Sequence, residues 1–242
     1  MGNVQSVFKR IEKKYMVNQE QYHCLMEHFK GRMQVDKYGK TIICNIYYDT
    51  PSHQLIRNSL EKPVYKEKLR VRSYGVPDDD SRVFVELKKK YKGVVYKRRV
   101  DMTLAQAKCF MGEDISPGIN PQIEDEITYF LHFYKDIAPA MFLSYERIAL
   151  YGIDNPELRV TFDSKITYRE QELLLERGVW GEQLLDMGDM IMEIKIPGAM
   201  PLWLSDILDE LKIFPTTFSK YGTAYLREYK NKFKNGKVTE CV

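Results

Sequence analysis

Several segments of this chain place charge, rather than apolar side chains, at every second position. Lys66, Lys68, Arg70 and Arg72 step by two, with Leu69 and Val71 in the opposite phase. Glu86 and Lys88 alternate with Val85 and Leu87, Lys97 pairs with Arg99, and Glu193 and Lys195 flank Ile194. Arg10, Glu12 and Lys14 repeat the pattern near the start. The triplet Glu-x-Lys recurs in these runs at Glu12/Lys14, Glu86/Lys88 and Glu193/Lys195. Successive side chains of a strand point to opposite faces. Each run therefore reads as a strand with one apolar face and one face of mixed charge, cations in excess. If several such faces converge, they form a site for a polyanion.

The rest of the chain sets the frame. Its 242 residues, 44% of them hydrophobic, suffice for a substantial core. The formal net charge is only +3, so an anion preference has to come from where the charges sit. Cys24, Cys44, Cys109 and Cys241 are scattered without a C-x-x-C pair, which suggests a reducing compartment rather than disulfides or a zinc site. The four histidines lack H-E-x-x-H spacing. There is no signal-peptide pattern, and no apolar run nears the ~20 residues of a membrane span. These features predict a soluble, cytoplasmic protein.

Strands are expected over 7–17, 40–49, 64–74, 82–90, 94–101, 140–151, 157–168 and 190–197. Asn18 with Gln21, and Thr103 with Gln106, are capping boxes that open helices. Thr50-Pro51 and Pro201 read as further helix starts, 122–135 as a helix, and Ser219 as the start of the last one. Lys92-Gly93 reads as a hairpin turn. No repeat, low-complexity stretch or linker divides the chain, so a single domain over 1–242 is expected. The fold class is α+β: about eight antiparallel strands in a closed or nearly closed barrel, with helices packed outside.

For any one strand the ordinary reading of alternating Lys and Glu is a solvated face, where cross-strand ion pairs contribute ~0.2–1 kcal/mol. Five or more strands with the same excess of cations shift the balance. Two like charges ~6 Å apart repel by roughly 3 kcal/mol at an effective dielectric of 20. A cavity lined by many cations is therefore costly without an anion, and phosphate chains supply one that suits arginine. The carboxylates among them can pair with the cations or hold a divalent ion. No P-loop and no G-x-G-x-x-G is present. The basic tail of Lys230, Lys232, Lys234 and Lys237 reads as a solvated helix end, not a nucleic-acid site.

The motifs, taken in order, resemble a known family. They are Arg10-x-Glu12-x-Lys14-Tyr15-x-Val17, Tyr47-Tyr48-Asp49-Thr50, Lys68-Leu69-Arg70-Val71-Arg72-x-Tyr74 and Glu86-Leu87-Lys88. Lys97-x-Arg99, Tyr145-x-Arg147, Arg159-Val160-Thr161-x-Asp163, Met192-Glu193-x-Lys195 and Phe218-Ser219-Lys220-Tyr221 follow. Each is short, but nine in order span nearly the whole chain. Together they resemble the catalytic domain of vacuolar transporter chaperone (VTC) polyphosphate polymerases, of the CYTH-like triphosphate tunnel metalloenzymes. The resemblance implies an antiparallel barrel whose charged lumen holds a triphosphate and a divalent metal, Mn²⁺ or Mg²⁺.

By that resemblance Lys14, Arg70, Arg72, Lys88, Arg147 and Arg159 are the catalytic cations. Arg57, Lys97, Tyr145, Ser219 and Lys220 are further phosphate contacts. Glu193 is the metal-binding glutamate, and Glu12 occupies the acidic first-strand position used for metal in related triphosphatases. Glu12 and Glu86 stay open between metal binding and ion pairing. The implied activity is transfer of the γ-phosphate of ATP to a growing polyphosphate chain. Alternatives are an inorganic or nucleoside triphosphatase of the same fold, and a non-catalytic polyphosphate-binding subunit.

Two departures stand out. The sensing domain and membrane span of eukaryotic members are missing from this sequence, which suggests a free-standing, prokaryotic-type member. Export of the product would fall to a membrane partner. Thr217 stands where the family leads one to expect a lysine, two positions before Ser219.

Overall fold

A computed structural model describes residues 10–92 and 94–234. Readings that fall on residues 7–9, Gly93, Lys237 and Cys241, or on the side chains of Arg10, Lys232 and Lys234, lie outside the described residues. The strands are β1 (Arg10–Val17), β2 (Met33–Asp49), β3 (Tyr65–Tyr74), β4 (Arg82–Tyr91), β5 (Val94–Thr103), β6 (Ala138–Gly152), β7 (Arg159–Arg169), β8 (Glu182–Gln183), β9 (Met190–Pro197) and β10 (Pro215–Thr216). The helices are α1 (Gln19–Phe29), α2 (Gln54–Leu60), α3 (Leu104–Glu113), α4 (Pro121–Phe133), α5 (Leu202–Glu210) and α6 (Lys220–Lys234).

The fold is α+β with an antiparallel sheet, as expected. The hydrogen-bonded order is β10-β1-β9-β7-β6-β2-β3-β4-β5, with β8 on β7. This is a path with two ends: where about eight strands, closed or nearly closed, were anticipated, ten strands form a sheet that is not closed. The added strands, β8 and β10, have two residues each. A segment that short carries no period to read.

Contacts gather the chain into two compact units. One holds residues up to Thr41, Tyr145–Ile166 and Leu185–Phe218, and the other holds Ile42–Ser144, Thr167–Leu184 and the chain from Ser219 onward. In the first unit, Tyr15 and Val17 of β1, Met192 and Ile194 of β9, and Val160 and Phe162 of β7 share a buried apolar face. Leu25 and Phe29 of α1, with Leu204, Ile207 and Leu208 of α5, complete that core. The Asn18 box holds α1: Asn18 Oδ1 accepts from the Gln21 amide at 2.8 Å, and Gln21 Oε1 accepts from the Asn18 amide at 3.1 Å. Satisfying two orphan amides at once fixes where the helix starts.

In the second unit the apolar phase of β3, β4 and β5 (Leu69, Val71, Val85, Leu87, Val100) packs with Leu104, Ala107 and Phe110 of α3 and Ile127 and Phe130 of α4. The Thr103 box starts α3, with bonds of 3.2 and 3.0 Å to and from Gln106. One helix start moves. Thr50-Pro51 was the expected opening, yet α2 begins at Gln54. The buried Asp49 carboxylate accepts from the amides of Thr50 (2.9 Å), Leu55 (2.8 Å) and Ile56 (3.0 Å). It caps α2 from across a loop that contains Pro51, which the local pattern cannot reveal. No helix among the described residues is long and apolar enough to cross a membrane.

Candidate functional site

Burying one phase of each strand leaves the other phase as a charged face, one in each unit. In the second unit, strand register sets the charges in rows. Tyr47, Arg70, Glu86 and Arg99 lie side by side on β2, β3, β4 and β5. The next row is Asn45, Arg72, Phe84 and Asp101. On the other side lies Lys68, Lys88 and Lys97.

Glu86 is the hub of this face and is only 1% exposed. Its Oε2 accepts from Arg70 Nε at 2.8 Å and Nη2 at 2.6 Å, with Arg72 Nε at 3.9 Å. Its Oε1 lies 2.6 Å from Lys97 Nζ and 3.1 Å from Arg99 Nε. Burial works against its charge, but Arg70, Arg72 and Lys97 hold its pKa down to about 2. Glu86 is thus ion-paired on both carboxylate oxygens. One carboxylate faces four cations, so the face remains strongly positive.

Other groups orient the arginines. Arg70 Nη1 donates to the Tyr47 hydroxyl at 3.0 Å, and Arg72 Nε donates to Asn45 Oδ1 at 2.9 Å. Asn45 in turn donates to the Leu143 carbonyl at 3.0 Å. The Tyr47 ring stacks on Tyr221 of α6, centroids 4.6 Å apart. Burial raises the Tyr47 pKa, but Arg70, Lys68 and Arg72 outweigh it and bring it to about 8. The Tyr221 hydroxyl donates to Asp49 at 2.9 Å. At the start of α6, Ser219 Oγ accepts from the Gly222 amide at 3.2 Å and lies 3.3 Å from Lys68 Nζ. Lys220 is the first residue of α6. Arg57 is different. It is exposed on α2, and among the described residues its side chain makes no ion pair or hydrogen bond.

In the first unit, Glu12, Lys195 and Arg159 form one row across β1, β9 and β7, and Lys14, Glu193 and Thr161 form the next. Glu193 is buried, with Lys195 Nζ at 2.8 Å. Burial opposes its charge, but Lys195, then Glu12 and Lys14, hold its pKa well below the usual carboxylate range. Lys14 Nζ donates to the Phe218 carbonyl at 2.9 Å. Arg147 makes a bidentate pair with the fully buried Asp163, at 2.6 and 2.7 Å. Its guanidinium also lies 5.2 Å from the ring centroid of the buried Tyr145.

Among the described residues, no group of three or more His, Cys, Asp and Glu is placed to hold a metal. The donor set is nevertheless suited to a divalent ion that shares its shell with phosphate. Glu12 and Glu193 are neighbours on one face, and the Thr161 hydroxyl beside Glu193 is buried without a hydrogen-bond partner. Mg²⁺ commonly takes one or two carboxylates, completing its shell with waters and phosphate oxygens.

The sequence motifs did not single out Asn45, Tyr47, Asp163, Thr161 or Arg99 as site residues. Tyr47, Arg99, Thr161 and Asp163 stand inside the quoted motifs, and Asp163 shares the odd phase of Arg159. Asn45 has no local signal, because only the β2–β3 register sets it beside Arg72.

Two solved structures share the fold. One is from Bacillus halodurans, described as a candidate adenylate cyclase, with TM-score 0.54, 15% identity, and 87% of this chain and 93% of that chain covered. The other, from Hippeastrum, is described as a candidate adenylyl cyclase with a dominant triphosphatase activity; its TM-score is 0.54 at 15% identity, with 95% and 97% covered. The chain thus has the α+β fold of these two structures. The sequence matches the VTC domain over residues 9–229, and the chain belongs to the VTC domain family. No curated protein matches the sequence.

Proposed function

We propose that this protein is an ATP-dependent polyphosphate polymerase. The observation that carries the reading is the cluster at Glu86, where Arg70, Arg72, Lys97 and Arg99 surround one buried carboxylate. Such an excess of oriented cations suits a ligand with several negative charges in a row. Membership of the VTC domain family supports the same ligand class.

In this reading Arg70, Arg72, Arg147 and Arg159 neutralise charge on the transferring phosphoryl group, while Lys14 and Lys88 orient it. Arg57, Lys97, Tyr145, Ser219 and Lys220 are further phosphate contacts. An oxygen of the chain's terminal phosphate attacks the γ-phosphorus of ATP in line. The bond from that phosphorus to the β-phosphate oxygen breaks, and ADP leaves with the electron pair. Phosphoryl transfer needs mainly positioning and charge neutralisation. The acceptor oxygen is already ionised near neutral pH, so no dedicated base is required. Glu193 and Glu12 would hold Mn²⁺ or Mg²⁺. When bound, the ion would neutralise phosphate charge as a Lewis acid.

The test is to incubate the pure protein with ATP and Mn²⁺ and analyse the product. Long acid-insoluble phosphate chains are expected. Release of inorganic phosphate alone would replace the reading with a triphosphatase. Tight polyphosphate binding without turnover under any metal would make the protein a binding subunit.

A further inference from the structure

Beyond the row of Lys68, Lys88 and Lys97, the charged face of the second unit carries one more rung. Lys66 on β3 lies directly opposite Lys90 on β4, as Lys68 lies opposite Lys88. The two rungs share a face and are separated by about 7 Å along the strands. Like charges directly opposite one another destabilise a sheet. Here two successive rungs are lysine against lysine.

The neighbourhood does not neutralise them. Among the described residues, Lys66, Lys88 and Lys90 have no carboxylate ion pair. Lys66 Nζ reaches only the Ser59 carbonyl, at 3.2 Å. Burial, followed by the charges of Lys90, Lys88 and Lys62, lowers the Lys66 pKa. Edge strands often carry lysine to block pairing, but Lys90 is paired on both sides, with Lys66 and with Val95. Edge protection therefore does not account for it.

We infer that the Lys66–Lys90 rung is a subsite for phosphates of a chain longer than a triphosphate, continuing the row of Lys68, Lys88 and Lys97. The inference rests on the polyphosphate reading above and deepens it. A ligand of three phosphates is held by the cations around Glu86 and the adjoining row, whereas a longer chain continues along β3 and β4 and neutralises the outer rung. The subsite thus distinguishes a long inorganic polyphosphate from a nucleotide or tripolyphosphate.

The experiment measures the binding of tripolyphosphate and of long-chain inorganic polyphosphate to the full chain and to the double variant Lys66→Gln/Lys90→Gln. The wild type should bind the long chain more tightly. The variant should lose about tenfold in long-chain affinity, the scale of one charged hydrogen bond, and keep its affinity for tripolyphosphate. Its melting temperature in phosphate-free buffer should equal or exceed that of the wild type, because a repulsive rung is gone. Lys90→Gln alone should show the same selectivity to a smaller degree. Equal loss for both ligands, or no loss for the long chain, overturns the subsite and leaves the function standing. A wild type that binds neither ligand overturns the function itself, and the subsite with it.

Discussion

Arg70 places two guanidinium nitrogens on a single oxygen of Glu86, at 2.6 and 2.8 Å, leaving the other oxygen to Lys97 and Arg99. Glu86 therefore ties together cations of the two strands that flank β4. Breaking a buried pair on one side leaves charge uncompensated. Glu86→Gln should lower unfolding stability by about 3 kcal/mol in phosphate-free buffer. Added tripolyphosphate should restore part of that loss by binding the native state. Urea unfolding with and without the anion checks both.

The same carboxylate sets an acid limit. Its folded pKa, about 2, lies below the ordinary 4.5. A depressed carboxylate contributes stability that is complete above its unfolded pKa and is lost as pH falls through the folded one. Glu193 shifts in the same direction. The melting temperature should therefore fall between about pH 5 and pH 2. Glu86→Gln should flatten that decline, as a pH series of melting curves will record.

Arg70→Ala should cut product formation by about a hundredfold, the scale for removing an oriented donor from a developing charge. Arg98 supplies the control. It sits on the opposite face of β5, where its Nε donates to both carboxylate oxygens of Glu126 at 3.0 Å. Being 44% exposed, it should affect stability by less than about 1 kcal/mol when replaced by alanine. Activity of Arg98→Ala should stay at the wild-type level. Undiminished product from Arg70→Ala would remove Arg70 from the mechanism.

Tyr47 offers a spectroscopic probe. Tyr47 should ionise near pH 8, because Arg70, Lys68 and Arg72 favour the phenolate despite burial. Ultraviolet difference titration should show this step, and Tyr47→Phe should abolish it. Tripolyphosphate should move the step to higher pH, since a bound anion neutralises the same cations. A step that ignores the anion would separate Tyr47 from the ligand site.

Glu193→Gln should weaken Mn²⁺ binding in the presence of tripolyphosphate, followed by calorimetric titration. Glu12→Gln settles the role left open by the sequence. A comparable loss makes Glu12 a ligand, and an unchanged titration leaves it pairing with cations.

Period two made much of this protein readable from sequence alone. It placed Lys66, Lys68, Arg70 and Arg72 on one face and Leu69 and Val71 on the other, and the capping boxes at Asn18 and Thr103 located two helices. These signals are local, carried by residues two to four positions apart. What tertiary structure decided depends on pairing between distant segments. The β2–β3 register sets Asn45 beside Arg72, and the β3–β4–β5 register gathers four cations on Glu86. Asp49 caps α2 from beyond Pro51, and the two-residue strands β8 and β10 join a sheet for which the sequence offered about eight strands. Alternation fixes which face a side chain takes, but only the register of one strand against another fixes which charges become neighbours.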